Sequence, residues 1–85
     1  MTLRRSRKFT KQYARLPEAT RRKVEKTLRL LVTNPSHPGL KVRKLVNQDD
    51  IWEARIDYHT RMTFQKNDQR LLLRAVGTHA IYSRP

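Results

Sequence analysis

Residues 51–64, IWEARIDYHTRMTF, alternate apolar and polar side chains on either side of a short polar segment. Successive side chains of a β-strand point to opposite faces of its sheet, so this alternation predicts two half-buried strands joined by a hairpin. The apolar face would carry Trp52, Ala54, Ile56, Met62 and Phe64, and the polar face Glu53, Arg55, Arg61 and Thr63. The hairpin therefore predicts two chemically different sides of one sheet.

The length of the loop decides how these two strands pair. If residues 57–59 form a three-residue loop, Trp52 lies opposite Phe64 and Arg55 lies directly opposite Arg61. Only loops of odd length satisfy both alternations. Two guanidinium groups side by side disfavour folding by about 0.5 kcal/mol, so a compensating role is expected for them.

The arginine pair has two explanations. Glu53 is a diagonal neighbour of Arg61 and could neutralise the pair. Alternatively, Arg55 and Arg61 bind phosphate, because the planar guanidinium group stays protonated and matches phosphate oxygens in a bidentate way. Both explanations remain open at this point.

Upstream of the hairpin the periodicity is helical. The opening MTLRR is compatible with a short strand, and Ser6 is a plausible N-cap for a helix over residues 7–16. Pro17 can occupy the first turn of a second helix over residues 17–33, which ends at Asn34. The apolar stripe of this second helix comprises Val24, Leu28, Leu31 and Val32. The two helices are expected to form a hairpin with basic outer faces.

Downstream of NPSHPGL the period changes to that of strands, which we predict at about residues 40–46, 51–56, 60–66 and 70–77. The order β-α-α-β-β-β-β predicts an α+β fold, with both helices on one face of a small antiparallel sheet and the other face open. Eighty-five residues suffice for one core, so residues 1–85 are predicted to form a single domain.

Composition narrows the class of protein further. Twenty Lys and Arg residues against seven Asp and Glu give a net charge of +13, which favours a polyanionic partner, nucleic acid above all. The chain has no cysteine, and its three scattered histidines argue against a zinc site. No run of residues has the length and hydrophobicity of a membrane span or a signal peptide. We therefore expect a cytoplasmic protein without metal or cofactor.

Two further segments carry candidate functional residues. In LKVRKL, Lys41 and Arg43 could add positive charge to the same or an adjacent face, although such residues usually form only a solvated face. In VGTHAIYSRP, Gly77 permits a bend that returns the tail to the sheet. His79 could then donate a proton to a leaving oxygen, and Tyr82 could stack on a base or bond a phosphate.

Taken together, KFTKQYARLP, NPSHPGLKVRKL, WEARIDYHTRMTF and LLLRAVGTHAIY resemble the RelE-type toxins of the RelE/ParE superfamily over nearly the whole chain. The resemblance implies a RelE-like fold and a metal-independent endoribonuclease that binds the ribosome, contacts ribosomal RNA and cleaves mRNA in the A site. In such toxins the ribose 2′-hydroxyl attacks the adjacent phosphate, which yields a 2′,3′-cyclic phosphate. The resemblance also implies a cognate antitoxin as protein partner.

By position in these motifs, Arg55 and Arg61 resemble the phosphate-stabilising arginines, His79 resembles the general acid and Tyr82 resembles the terminal aromatic residue. The general base departs from the pattern of the family. One branch has glutamate where this chain has Arg43, which leaves Glu53 as a possible substitute. Alternatively, Lys41 or Lys44 could provide charge for RNA binding, as in the branch of the family that relies on lysines.

Two alternatives to a nuclease stay open. The first is a ParE-like inhibitor of DNA gyrase, which shares the fold and needs no nuclease site. The second is a non-catalytic module that binds RNA or an antitoxin.

Overall fold

The computed structural model describes residues 2–46, 48 and 50–85. The order of its main elements, β-α-α-β-β-β-β, is the predicted one. The elements are β1 (Thr2–Arg5), α1 (Arg7–Ala14), α2 (Glu18–Thr33), β2 (Arg43–Lys44), β3 (Ile51–Arg55), β4 (Arg61–Lys66) and β5 (Arg70–Gly77), with 3-10 turns at Pro38–Leu40 and His79–Ser83. Both helices precede the hairpin strands, as the change of period indicates.

The five strands form one sheet in the order β1-β5-β4-β3-β2. The pairs β2–β3, β3–β4 and β4–β5 are antiparallel, whereas β1 runs parallel to β5. The prediction of a purely antiparallel sheet is therefore wrong at β1. Alternation identifies the faces of a strand but not its direction, and the long connection between β1 and β5 allows them to run the same way.

The strand predicted at residues 40–46 is reduced to Arg43–Lys44. The segment before it forms the turn Pro38–Leu40, and Lys41 adopts a left-handed backbone with φ 47°. His37 caps this turn, because its Nδ1 accepts a hydrogen bond from the Gly39 amide at 3.0 Å. The apolar residue at the start of the predicted strand, Leu40, is buried from the turn instead.

The start of α1 is as predicted. The Ser6 hydroxyl oxygen accepts a hydrogen bond from the Phe9 amide at 3.0 Å and donates one to the Arg74 carbonyl at 2.9 Å. The cap thus ties the first turn of α1 to β5. Ser6 stabilises both the helix and its position on the sheet.

The core lies between the helices and one face of the sheet. It is formed by Phe9, Val24, Leu28, Leu31, Leu40, Ala54, Met62, Phe64, Leu71, Leu73 and Val76. Trp52 packs against this cluster but is only half-buried, and the Lys66 ammonium lies 4.2 Å from the centre of its ring. The prediction for Val32 is wrong, since it is 41% exposed and Thr27 takes the buried position on the stripe.

A bulge in β5 shapes the opposite face. Thr63 pairs with Ala75 whereas Phe64 pairs with Leu73, so Arg74 is the extra residue. Its guanidinium donates to the Gln65 side chain at 2.7 Å. The face that we call the outer face is the side of the sheet away from the helices, and Arg74 lies on it.

Candidate active site

The predicted register of the central hairpin is confirmed. Trp52 pairs with Phe64, and Arg55 pairs with Arg61. The Ile56 amide closes the loop by donating to the Thr60 carbonyl at 3.0 Å. Because the apolar partners face the helices, both arginines lie on the outer face.

The hairpin loop is held by two charged residues. Arg61 Nη1 donates to the carbonyls of Asp57, Tyr58 and Thr60. Asp57 Oδ1 accepts from the amides of His59 at 3.0 Å and Thr60 at 2.9 Å. Burial alone would raise the pKa of Asp57, but its hydrogen bonds from Thr60 and Lys23 outweigh burial and lower that pKa. Part of Arg61 is therefore used by the loop itself.

The outer face is only partly open, whereas the prediction left it uncovered. The C-terminal turn His79–Ser83 covers part of it, with Ile81 only 5% exposed. A Cβ at Gly77 would lie 3.0 Å from Ile81 Cγ2, so glycine allows the turn to approach the sheet closely. Gly77 does not take the left-handed backbone that a bend through glycine would use. The isoleucine gives the tail an apolar side chain to bury.

Beside this turn the outer face contains a cavity of about 410 Å³. Its lining comprises Lys41, Arg43, Glu53, Arg55, Arg61, His79 and Tyr82. Seven of the eight predicted site residues therefore meet around one space, where four permanent cations face one carboxylate. The exception is Lys44, which pairs with Trp52 and so points toward the opposite face.

Glu53 is the buried acid of this cavity, with 5% of its surface exposed. Its Oε1 accepts a hydrogen bond from Arg43 Nε and its Oε2 accepts one from the Tyr82 hydroxyl. The contact of Glu53 with Arg61, one of the two explanations left open by the sequence, is not formed. Arg43 is the direct cross-strand partner of Glu53, whereas Arg61 is only a diagonal neighbour and serves the loop.

The same contacts change the acidity of the partners of Glu53. The hydrogen bond to this carboxylate raises the pKa of Arg43. Burial, followed by the hydrogen bond to Glu53, raises the pKa of Tyr82. At neutral pH the phenol is therefore protonated, and its hydroxyl donates a hydrogen bond to Glu53.

Arg55 differs from the other cations of the cavity. Within the described residues it has no ion pair, and the Arg55 guanidinium carbon lies 5.9 Å from the ring centre of Tyr58. Tyr58 itself is 74% exposed at the hairpin tip. Arg55 is consequently a cation whose hydrogen-bond donors are available to an anionic ligand.

His79 and Tyr82 stand together on the C-terminal turn. Their ring centres are 5.7 Å apart, and His79 is exposed to solvent. A spacing of three residues places side chains on the same side of a 3-10 turn. One short segment therefore brings an imidazole and a phenol to the same cavity.

The arrangement has the groups needed for chemistry on a phosphate. Arginine donors can bind its oxygens, an imidazole can donate a proton, and a phenol paired with a carboxylate can receive one. Across residues 2–46, 48 and 50–85, no three His, Asp or Glu side chains are grouped so that they could hold a metal ion. Neither helix of these ranges has the length and apolar content of a membrane span.

Sequence reasoning missed two features of the site. The Arg43–Glu53 pair depends on the register of β2, a strand of two residues whose pairing no alternation signals. The second is Thr63, a fully buried residue of the outer face whose hydroxyl has no hydrogen-bond partner among the described residues. Because Thr63 lies on the predicted polar face, nothing in the sequence indicated that its side chain would be buried.

No family model matches the chain, and no curated protein sequence matches it. Its class of architecture is nevertheless defined, because a helical hairpin on a five-stranded mixed sheet is the RelE-like fold of toxins from toxin–antitoxin systems. The predicted RelE-like α+β fold is therefore confirmed, except for the direction of β1.

The individual structures similar to the chain come from bacteria and archaea. YafQ from E. coli strain BL21(DE3) has a TM-score of 0.77 at 20% identity, over 94% of both chains. The YoeB/ParE toxin from Agrobacterium tumefaciens has a TM-score of 0.76 at 20% identity, over 93% of this chain and 99% of that one. RelE in the RelB–RelE complex from Methanococcus jannaschii has a TM-score of 0.77 at 16% identity, over 96% and 99%. At identities this low, the structural likeness shows the fold alone.

Proposed function

We propose that this protein is the toxin of a type II toxin–antitoxin system and a ribosome-dependent endoribonuclease that cleaves mRNA in the A site. The observation that carries the proposal is the convergence of Arg55, Arg61, His79, Tyr82 and Glu53 on one cavity. The fold shared with YafQ, YoeB and RelE toxins supports it. We also place the protein in the cytoplasm, where ribosomes are found.

In the proposed reaction the ribose 2′-oxygen bonds to the adjacent phosphorus and the bond from phosphorus to the 5′-oxygen breaks. The products carry a 2′,3′-cyclic phosphate and a 5′-hydroxyl. Arg55, together with the Arg61 donors not used by the loop, stabilises the charge that develops on phosphate. His79 donates a proton to the leaving 5′-oxygen. These side chains carry the reaction without a metal ion.

The proton acceptor in this proposal is a pair of residues. Both oxygens of Glu53 accept hydrogen bonds, one from Arg43 and one from Tyr82. A proton from the substrate therefore reaches the carboxylate by way of the Tyr82 hydroxyl. The 2′-hydroxyl proton passes to the Tyr82 oxygen while the phenol proton moves to Glu53. Arg43 holds the carboxylate in place beside Tyr82.

The protein partner in this proposal is an antitoxin. The E. coli DinJ–YafQ structure and the Methanococcus jannaschii RelB–RelE structure are toxin–antitoxin complexes with the same toxin fold. The net charge of +13 suits a partner segment that is acidic and amphipathic, since opposite charges steer association and apolar contacts hold it.

The test is cleavage of a defined mRNA on programmed ribosomes by purified protein. We expect cuts in the A-site codon whose ends carry a cyclic phosphate and a 5′-hydroxyl. His79→Ala should reduce the rate about 10²–10⁴-fold, because general acid catalysis is worth that much. Arg15→Ala removes an exposed arginine that does not line the cavity and serves as the control. Full activity of His79→Ala would refute the assignment of the acid.

A ParE-like activity against gyrase is the second candidate, since one structure with this fold is described as a YoeB/ParE toxin. A supercoiling assay separates the two. Inhibition of gyrase at stoichiometric concentration with intact mRNA would replace the nuclease proposal. Growth without inhibition in a bacterial host that makes the folded protein would favour a non-catalytic module.

A further inference from the structure

A second, larger cavity lies at the other end of the sheet. Its volume is about 740 Å³, and its charged lining residues are Arg4, Lys66, Arg70 and Asp50. Three cations therefore face one carboxylate. None of the expectations drawn from the sequence concerns this cavity.

The strand register places two of these cations on the outer face. Arg70 pairs with Thr2 and Arg4 pairs with Leu72, so the two arginines are diagonal neighbours across β1 and β5. Leu72 in turn pairs with Gln65. Gln65 and Arg61 are four residues apart on β4, so their side chains point to the same outer face. The catalytic cavity and this second cavity thus belong to one side of the sheet.

The two arginines are available to a ligand. Both are exposed, and neither takes part in an ion pair within the described ranges. Lys66 differs, because its ammonium lies 4.2 Å from the ring centre of Trp52 on the other face. The guanidinium groups of Arg4 and Arg70 are therefore the groups in this cavity that suit phosphate oxygens.

The spacing of the two cavities fits one RNA strand. Arg61 and Gln65 are four residues apart on β4, which corresponds to about 13 Å at 3.3 Å per residue. Small domains that bind single strands cover about 4–16 nucleotides, so a strand seated in the catalytic cavity reaches this distance. Arg74 lies between the cavities and adds positive charge, with its Nε donating to the Pro85 carbonyl at 3.0 Å.

We propose that the second cavity binds backbone phosphates of the RNA strand that flanks the scissile phosphate. The identity of the strand rests on the proposed nuclease function. A docked protein segment is the competing occupant, because Leu71 and Leu72 also line this cavity. The two exposed arginines without ion pairs in the described residues favour the phosphates.

The experiment measures binding of non-cleavable 2′-O-methyl RNA, an octanucleotide and a dinucleotide, between 50 and 200 mM salt. The variant is Arg4→Gln with Arg70→Gln, and the control of equal charge is Arg15→Gln with Arg29→Gln, where Arg15 is the exposed C-cap of α1 and Arg29 is exposed on α2. Each phosphate contact on a single strand contributes about 0.7 to the slope of log K against log salt. We expect the variant to lower the octanucleotide slope by about 1.4 and to leave the dinucleotide unchanged.

A second variant, Arg4→Lys with Arg70→Lys, keeps the charge and removes the planar forks. It should fold like the wild type and bind the octanucleotide more tightly than the glutamine variant does. Equal losses of octanucleotide binding in the glutamine variant and its control would overturn the proposal, because they would mean that the RNA is held by the overall positive charge of the protein. Weaker binding to ribosomes with unchanged octanucleotide binding would overturn it in favour of ribosomal RNA.

The outcome is separable from that of the proposed function. Cleavage on ribosomes with an unchanged octanucleotide slope would refute the second cavity and leave the nuclease standing. The expected slope change without any cleavage by the wild type would support a phosphate-binding cavity and refute the nuclease.

Discussion

The two faces of the sheet use the same strands for different purposes. On the helix side, Met62 and Phe64 are buried in the apolar core together with residues of α1 and α2. On the outer face, Arg55 and Arg61 lie beside each other, and the acid of that face, Glu53, is buried against Arg43 and Tyr82. The helix side therefore stabilises the fold, while the outer face keeps an unfavourable charge arrangement that is useful for binding an anion.

The largest expected effect on stability belongs to the helix side. Phe64→Ala removes a ring that is 1% exposed, and should lower the free energy of unfolding by about 3–5 kcal/mol through lost transfer energy and a new cavity. Chemical denaturation of the variant and the wild type measures this. A cost below 1 kcal/mol would mean that the helices do not bury this face as described.

The C-terminal turn that covers part of the outer face should contribute less to the free energy of unfolding. Tyr82→Phe deletes the hydroxyl that bonds Glu53 and leaves a buried carboxylate oxygen without that donor, so we expect a cost of about 1–3 kcal/mol. The control is Tyr58→Phe, since that ring is 74% exposed and should change stability by less than about 0.5 kcal/mol. Equal effects of the two substitutions in a denaturation assay would contradict the Tyr82–Glu53 contact.

The smallest effect concerns the hairpin loop and appears with pH. The hydrogen bonds that lower the folded pKa of Asp57 stabilise the protein above the unfolded value of about 3.9, and this stabilisation is lost as pH falls through the folded pKa. Asp57→Asn should therefore cost stability at pH 6 and flatten the decline below about pH 4. Unfolding measured at both pH values tests this, with exposed Asp68→Asn as control.

Most of the correct predictions came from the alternation of apolar and polar residues along the strands. The pairing of Arg55 with Arg61 followed from side-chain period and loop length alone, because one-residue shifts would turn apolar side chains to water. Direction and coverage were not accessible in this way. Nothing local encodes that β1 runs parallel to β5, or that Ile81 packs over Gly77 and closes part of the outer face.

The candidate site shows the same limit. Strand period placed Glu53, Arg55 and Arg61 on one face, but the choice of Arg43 as the partner of Glu53 depends on a strand of two residues. Lys44 was grouped with its neighbours in the sequence, yet a strand sends adjacent side chains to opposite faces. Partners across a sheet depend on register, and register is poorly specified where a strand is short.

The central claim is that the outer face carries chemistry that the fold does not need. Arg55→Ala tests it most directly, because Arg61 also holds the hairpin loop and Arg55 has no ion pair in the described ranges. The unfolding free energy and the single-turnover rate of mRNA cleavage on ribosomes are measured on the same preparation. We predict stability within about 0.5 kcal/mol of the wild type and a rate lower by about 10²–10³-fold, the usual loss for one donor to a developing charge. An unchanged rate, or a rate that falls only in step with lost stability, would contradict the account.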